Sequence, residues 1–196
     1  MNRSRVFFAA LVASPGVALA ILGSTHPAHL TNDSAMHWWV MHIVALPLFP
    51  LMGLALIGLV RGRRDPVAWA VRLLAYVFAA FYTSLDVLAG IGAGYVLDEA
   101  GPTPDASSLD AVHGLFRMAN DLAQYGVWSL LVACVLIAAD RVRSGGLPAI
   151  APGVLLVVAS YSFLDSHIYR WRGVVTVLAI GLATGWLALV RSRRAA

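Results

Sequence analysis

Six long apolar segments, separated by short polar connections, constrain the fold of this chain more than any other feature. They cover residues 6–24, 38–60, 67–97, 109–139, 147–168 and 173–190. A helix of about 20 apolar residues can cross a bilayer, and each segment is close to that length or longer. The pattern predicts an all-α fold, a polytopic bundle of six transmembrane helices that forms a single domain over residues 1–196.

The composition supports a membrane protein. Hydrophobic residues make up 60% of the chain and charged residues only 12%, whereas soluble domains have about 25% charged residues. A soluble fold could not bury this much apolar surface, and too few residues remain for a separate soluble domain. The net charge of +4 comes from arginines at segment ends, which orient helices, so we expect no nucleic-acid partner.

The arginines predict the topology. Eleven of the 14 lie at the two termini, after the second and fourth segments, or at the start of the third. The positive-inside rule places these positions and both termini in the cytoplasm, and places residues 98–110 outside. The first segment also resembles a cleavable signal peptide, but we expect it to remain as an anchor. The expected location is the lipid bilayer of a cell membrane, in a bacterium the inner membrane.

The histidines all fall on the predicted outer side, opposite the arginine clusters. They are His26, His29, His37, His42, His113 and His167. Imidazoles at similar depth on several helices are typical of a cofactor or metal site, although outer connections also collect polar residues for no special purpose. His42 lies about one turn inside Trp38 and Trp39, where a polar ring needs a partner.

The fourth segment carries a polar stripe. Its members are His113, Arg117, Asn120, Asp121 and Gln124, at positions i, i+4, i+7, i+8 and i+11. This spacing puts them on one helix face, which cannot face hydrocarbon, so we expect it to face the bundle interior. Arg117 and Asp121 are spaced for an ion pair. The alternative is that the stripe only holds the helices together.

Asp86 is an isolated carboxyl in the third segment. It lies ten residues before Val96, about 15 Å along a helix, which predicts a position near the membrane midplane. With Arg117 and Asp121 it could form a proton or ion relay. Gly90 and Gly94 beside it favour close helix packing, and a slot for a flat cofactor is the functional alternative.

The first functional hypothesis is a membrane redox protein that binds haem b. His42 and His113 are the expected axial ligands, and Arg117 is the expected partner of a propionate. A quinone or another electron-transfer partner would then exchange electrons with the haem.

The second hypothesis is a metal-dependent membrane enzyme that acts on a lipid-like substrate. Zn²⁺ or another transition metal would activate water. The candidate ligands are His26, His42, His113, His167, Asp86 and Asp121. A proton- or ion-translocating protein that uses the relay, and an accessory subunit of a larger membrane complex, are further alternatives. The sequence contains no metalloprotease, serine-hydrolase or phosphate-binding motif, which argues against proteolysis and nucleotide-driven transport.

Overall fold

The computed structural model describes residues 3–102 and 109–190, and every regular element within these ranges is a helix. The helices are α1 (Arg3–Gly23), α2 (Ala35–Ala45), α3 (Leu48–Leu59), α4 (Pro66–Leu85), α5 (Ala93–Ala100), α6 (Asp110–Gly145), α7 (Ile150–Ser166) and α8 (Arg170–Leu189). A π-helical segment, Asp86–Gly92, joins α4 to α5 without a break. A 3₁₀ turn, Leu147–Ala149, precedes α7.

Six helical stretches of the described chain are long and apolar enough to cross a membrane. Helices α2 and α3 together form the second stretch, the helix from α4 to α5 forms the third, and the others are α1, α6, α7 with its 3₁₀ turn, and α8. The predicted all-helical fold with six such stretches is therefore confirmed. The side of the membrane on which the termini lie stays a prediction.

The second stretch is interrupted below His42. Helix α2 ends at Ala45 and α3 begins at Leu48, because Pro47 has no N–H group to continue the hydrogen-bond ladder. The N–H group of Leu46 still donates to the carbonyl of His42. Pro47 therefore interrupts the second stretch about one turn after His42.

Two helices are longer than a bilayer is thick. The third stretch has 35 residues and α6 has 36, which correspond to about 50 Å each, whereas the hydrocarbon layer is about 30 Å thick. Helix α6 is therefore longer than one bilayer crossing requires, and its first turns carry His113 and Arg117.

The first turns of α6 take part in a small hydrophobic core that is separate from the main core of the bundle. Ala35, Ala93, Leu97 and Val112 are buried together, and Phe116 packs against them. The residues come from the start of α2, from α5 and from the start of α6. The bundle thus carries a packed cap at this end, which we call the histidine end because His26, His42 and His167 lie there.

Arginines close the opposite end, which we call the arginine end. Arg63 forms ion pairs with Asp65 and with the buried Asp140. Arg72 donates to the carbonyl of Arg63 at 2.6 Å, and Arg141 donates to the carbonyl of Leu59. Because the last carbonyls of a helix lack helical donors, these contacts complete the end of α3. The arginines that predict the topology, Arg63, Arg72 and Arg141, thus also form contacts that stabilise this end of the bundle.

Candidate metal centre

Three histidines from separate parts of the chain meet at the histidine end. His26 follows α1, His42 lies in α2 and His167 follows α7, and one ring nitrogen of each lies within 4.8 Å of those of the other two. Two ligands of a tetrahedral ion with bonds of about 2 Å are about 3.4 Å apart. The three nitrogens are therefore within about 1.4 Å of the spacing that a three-histidine metal site requires.

Hydrogen bonds orient the rings of His26 and His42. Nδ1 of His26 lies 2.7 Å from the carbonyl oxygen of Pro27, and Nδ1 of His42 lies 2.7 Å from that of Trp38. A carbonyl only accepts, so each Nδ1 carries the proton and each Nε2 keeps its lone pair. Metal-binding histidines are usually fixed in this way, by a hydrogen bond from the nitrogen that does not bind the ion.

His167 is positioned by its side chain and by its backbone. Its Nδ1 lies 2.6 Å from the hydroxyl of the buried Tyr82. Its backbone has φ 45° and ψ −145°, a conformation that costs a non-glycine residue about 1–3 kcal/mol and is found mostly at functional sites. Gly173 allows the sharp turn into α8, because a Cβ there would lie 2.6 Å from the His167 carbonyl oxygen.

Two glycines allow close packing against α2: Gly90 in the π-helical segment and Gly94 in α5. A Cβ at Gly90 would lie 2.3 Å from the ring of His42, and one at Gly94 would lie 2.9 Å from the ring of Trp38. The Trp38 indole N–H donates to the carbonyl of Ala89 at 3.0 Å. The glycines thus serve close packing, and this packing fixes the position of the His42 ring. π-Helical turns are frequent at functional sites.

The surroundings favour neutral imidazoles. Burial is the main cause that lowers the pKa of His26, and it lowers the pKa of His167 well below the ordinary value. The neighbouring His26 and His42 lower the pKa of His167 further. A neutral imidazole is the form that binds a metal ion, so both rings are ready to act as ligands.

A cavity of about 980 Å³ adjoins the three histidines, and all three line it. Its other walls are the connection between α1 and α2, the π-helical segment and the first turns of α6. Apolar side chains such as Leu85, Val112 and Phe116 contribute to these walls. The volume is at the upper end of the range for small-molecule sites, about 300–1,000 Å³.

Three of the six expected metal ligands, His113, Asp86 and Asp121, are not part of the three-histidine group. His113 lines the cavity but is exposed, and among the described residues the group of close ligand atoms contains only the three histidines. Arg117 and Asp121 are also exposed, so the prediction that the polar stripe faces the bundle interior is wrong. The physical reason is that Val112, Ala119 and Ala123 occupy the buried face of α6, which leaves the polar stripe on another, exposed face.

Asp86 is fully buried in the π-helical segment. Among residues 3–102 and 109–190, neither of its carboxylate oxygens has a hydrogen-bond partner. Arg117 and Asp121 are exposed on α6. The described structure therefore gives Asp86 no hydrogen bond to either expected relay partner. About 20 residues of helix, some 30 Å, separate Asp86 from Pro66, so it lies towards the histidine end.

Sequence reasoning missed Tyr82 and the orienting role of Trp38. Tyr82 is buried in the middle of an apolar helix, and a buried tyrosine hydroxyl normally has a hydrogen-bond partner. That general rule could have identified the residue, although not its partner, His167. His37 lies in the first turn of α2 and is exposed, and its Nε2 is 3.0 Å from the Thr25 carbonyl oxygen.

Comparison of this chain with protein-family models, with curated proteins and with solved structures finds no match. The chemistry of the residues is therefore the basis for assigning a function.

Proposed function

We propose that this protein is a metal-dependent membrane enzyme that holds Zn²⁺ or a similar transition metal on His26, His42 and His167. The convergence of three imidazoles, two with Nε2 free, carries the proposal. Three protein ligands leave a fourth position for water, which is typical of catalytic zinc sites, whereas structural sites have four protein ligands. The adjoining cavity gives a substrate access to that position.

Such an ion would support hydrolysis. Bound Zn²⁺ lowers the pKa of its water to about 7 and polarises a carbonyl or phosphoryl oxygen. Held by His26, His42 and His167, the ion would supply an activated water for the hydrolysis of an ester, in which the departing oxygen would take up the proton that the water loses. Leu85, Val112 and Phe116 in the cavity wall favour a substrate with an apolar part. The proposed substrate is therefore lipid-like.

The proposed location is a cell membrane, in a bacterium the inner membrane, with both termini in the cytoplasm. The positive-inside rule supports this orientation, because arginines concentrate at the arginine end. The histidine end then faces outwards, at the level where lipid headgroups meet water.

Haem b binding is the second candidate. His42 and His113 both line the same cavity, which is large enough for a flat macrocycle. Arg117 lies one turn after His113 on α6. This arrangement would support electron transfer to a quinone or a membrane partner. The three-histidine group is the better-supported site, because its donor atoms already converge.

Elemental analysis and an optical spectrum of the detergent-solubilised protein distinguish the candidates. We expect about one transition-metal ion per chain and no Soret band. Substitution of His26, His42 or His167 by alanine should abolish metal binding, whereas the control His113→Ala should retain it. A Soret band lost in His113→Ala would support haem. Wild-type protein that binds neither metal nor haem would overturn both candidates and favour ion transport or an accessory role.

A further inference from the structure

Asp86 has the least satisfied side chain near the metal centre. It is fully buried, and in the described part of the chain both of its oxygens lack a hydrogen-bond partner. An unpaired buried polar group costs about 1–3 kcal/mol, and a charged group costs more. A carboxyl at this position would therefore be stabilised by a partner that none of the described residues supplies.

The helix places Asp86 between two contacts with the metal centre. Tyr82, four residues earlier, is hydrogen-bonded to His167. Gly90, four residues later, lies directly against His42. All three positions are buried, and residues four apart on a helix share a face. Asp86 is therefore on the helix face that meets the histidines.

We infer that the Asp86 carboxylate accepts a hydrogen bond from the water bound to the metal, an inference that rests on the proposed function. Direct ligation does not fit, because among the described residues the group of three or more ligand atoms within 4.8 Å of one another consists of His26, His42 and His167 and does not include Asp86. A carboxylate that is too distant to ligate can reach the ion through its water.

This placement gives Asp86 a role in hydrolysis. The carboxylate takes the proton that the water loses as the water oxygen bonds to the electrophilic atom of the substrate. It returns that proton to the departing oxygen as the ester bond breaks. The carboxylate ends the cycle unchanged, and one water molecule and one ester become an acid and an alcohol.

The test compares Asp86→Asn with wild type in the detergent-solubilised full chain. Calorimetry with Zn²⁺ gives the affinity, and the visible spectrum of the Co²⁺-substituted protein reports the ligands of the ion. Asp86→Asn should weaken Zn²⁺ binding about 10- to 100-fold and alter the Co²⁺ bands. The metal-free variant should be at least as thermally stable as wild type, because Asp86 has no hydrogen-bond partner among the described residues that the substitution could remove. A merely structural role would leave the Co²⁺ bands unchanged.

Ser166→Ala is the matched control, since Ser166 also has a buried oxygen without a partner among the described residues and lines the cavity. It should leave Zn²⁺ affinity and the Co²⁺ bands unchanged. If Asp86→Asn does not fold, Asp86→Leu replaces it in the same measurements. Zn²⁺ affinity within about twofold of wild type, with unchanged Co²⁺ bands, would overturn the role of Asp86. If His42→Ala also retains the metal, the proposed function itself fails.

Discussion

The hydroxyl of Tyr82 lies 2.6 Å from Nδ1 of His167 and links the third membrane-spanning stretch to the turn after α7. Tyr82→Phe removes this hydrogen bond but keeps the ring packed among Phe49, Phe78 and Phe163. Loss of a hydrogen bond that orients a metal ligand typically weakens metal binding about 10- to 100-fold. We expect a loss of that size for Zn²⁺, measured by calorimetry. The exposed Tyr161→Phe is the control, and equal affinities in the two variants would contradict the prediction.

Gly90→Ala should disrupt the metal centre by steric overlap. The added Cβ would lie 2.3 Å from the His42 ring, and overpacking of this kind costs about 1–3 kcal/mol. We expect a lower thermal midpoint together with weaker Zn²⁺ binding. Gly114→Ala is the matched control, since its Cβ would meet no atom within 4 Å. If Gly90→Ala behaves like Gly114→Ala, the close contact with His42 is not present in the folded protein.

The metal-free protein should lose stability as the pH falls below about 6.5. Burial lowers the pKa of both His26 and His167 from the ordinary value of 6.5, which the unfolded chain retains. Above about pH 6.5, the imidazoles of His26 and His167 are neutral in both the folded and the unfolded protein. Below it the unfolded chain takes up protons first, so the free energy of unfolding falls until the pH reaches the folded pKa.

Thermal unfolding in detergent with a chelator, from about pH 7.5 to about pH 5, measures this dependence. A double variant, His26→Gln with His167→Gln, should show a shallower loss of stability over the same range. His29→Ala serves as the control at an exposed histidine. Equal pH dependence in wild type and the double variant would show that these imidazoles are not held neutral.

Two ion pairs should differ in their contribution to stability. Asp140 is 8% exposed and pairs with Arg63, whereas the Asp165 and Arg172 side chains are 65% and 60% exposed. Removing one partner of a buried pair leaves a charge without compensation, while exposed pairs contribute about 0–1 kcal/mol. We expect Asp140→Asn to destabilise by about 1–3 kcal/mol and Asp165→Asn by less than 1. Denaturant titrations that rank them the other way would contradict the prediction.

Cysteine labelling tests the orientation. In a Cys134→Ala background, Asp33→Cys at the histidine end should react with an impermeant thiol reagent added outside the cell. Leu147→Cys, which is 80% exposed at the arginine end, should react only after the membrane is permeabilised. The reverse labelling would place the metal centre on the cytoplasmic side.

The number of helices could be predicted from the sequence because apolar length alone decides whether a helix can span a bilayer. The exposure of the residues at the start of α6 could not be predicted as well. The segment 109–139 was treated as lying wholly in the membrane, which led to the wrong prediction that Arg117 and Asp121 are buried. The polar residues His113, Arg117 and Asp121 of α6 are instead exposed.

The group formed by His26, His42 and His167 could be predicted from the sequence only in part. The sequence placed the histidines at one end, but it could not show which of them meet, because His26 and His167 lie in connections whose paths depend on tertiary packing. The contact of Tyr169 with the carbonyl of Ala28 ties these two connections together. Nothing in the local sequence indicates such a contact between residues so distant in the chain.

The π-helical segment has a consequence for how this protein could have arisen. A π turn closes its hydrogen bond one residue later than an α turn, so it behaves as an insertion accommodated without breaking the helix. Deleting one residue within Asp86–Gly92 would restore an ordinary α-helix and rotate everything beyond it by about 100°. Gly94 would then turn away from Trp38, and Leu97 would leave the small core. The extra residue of the π turn thus sets the register in which α5 packs against α2, and a chain without it would lack the small core formed by Ala35, Ala93, Leu97 and Val112.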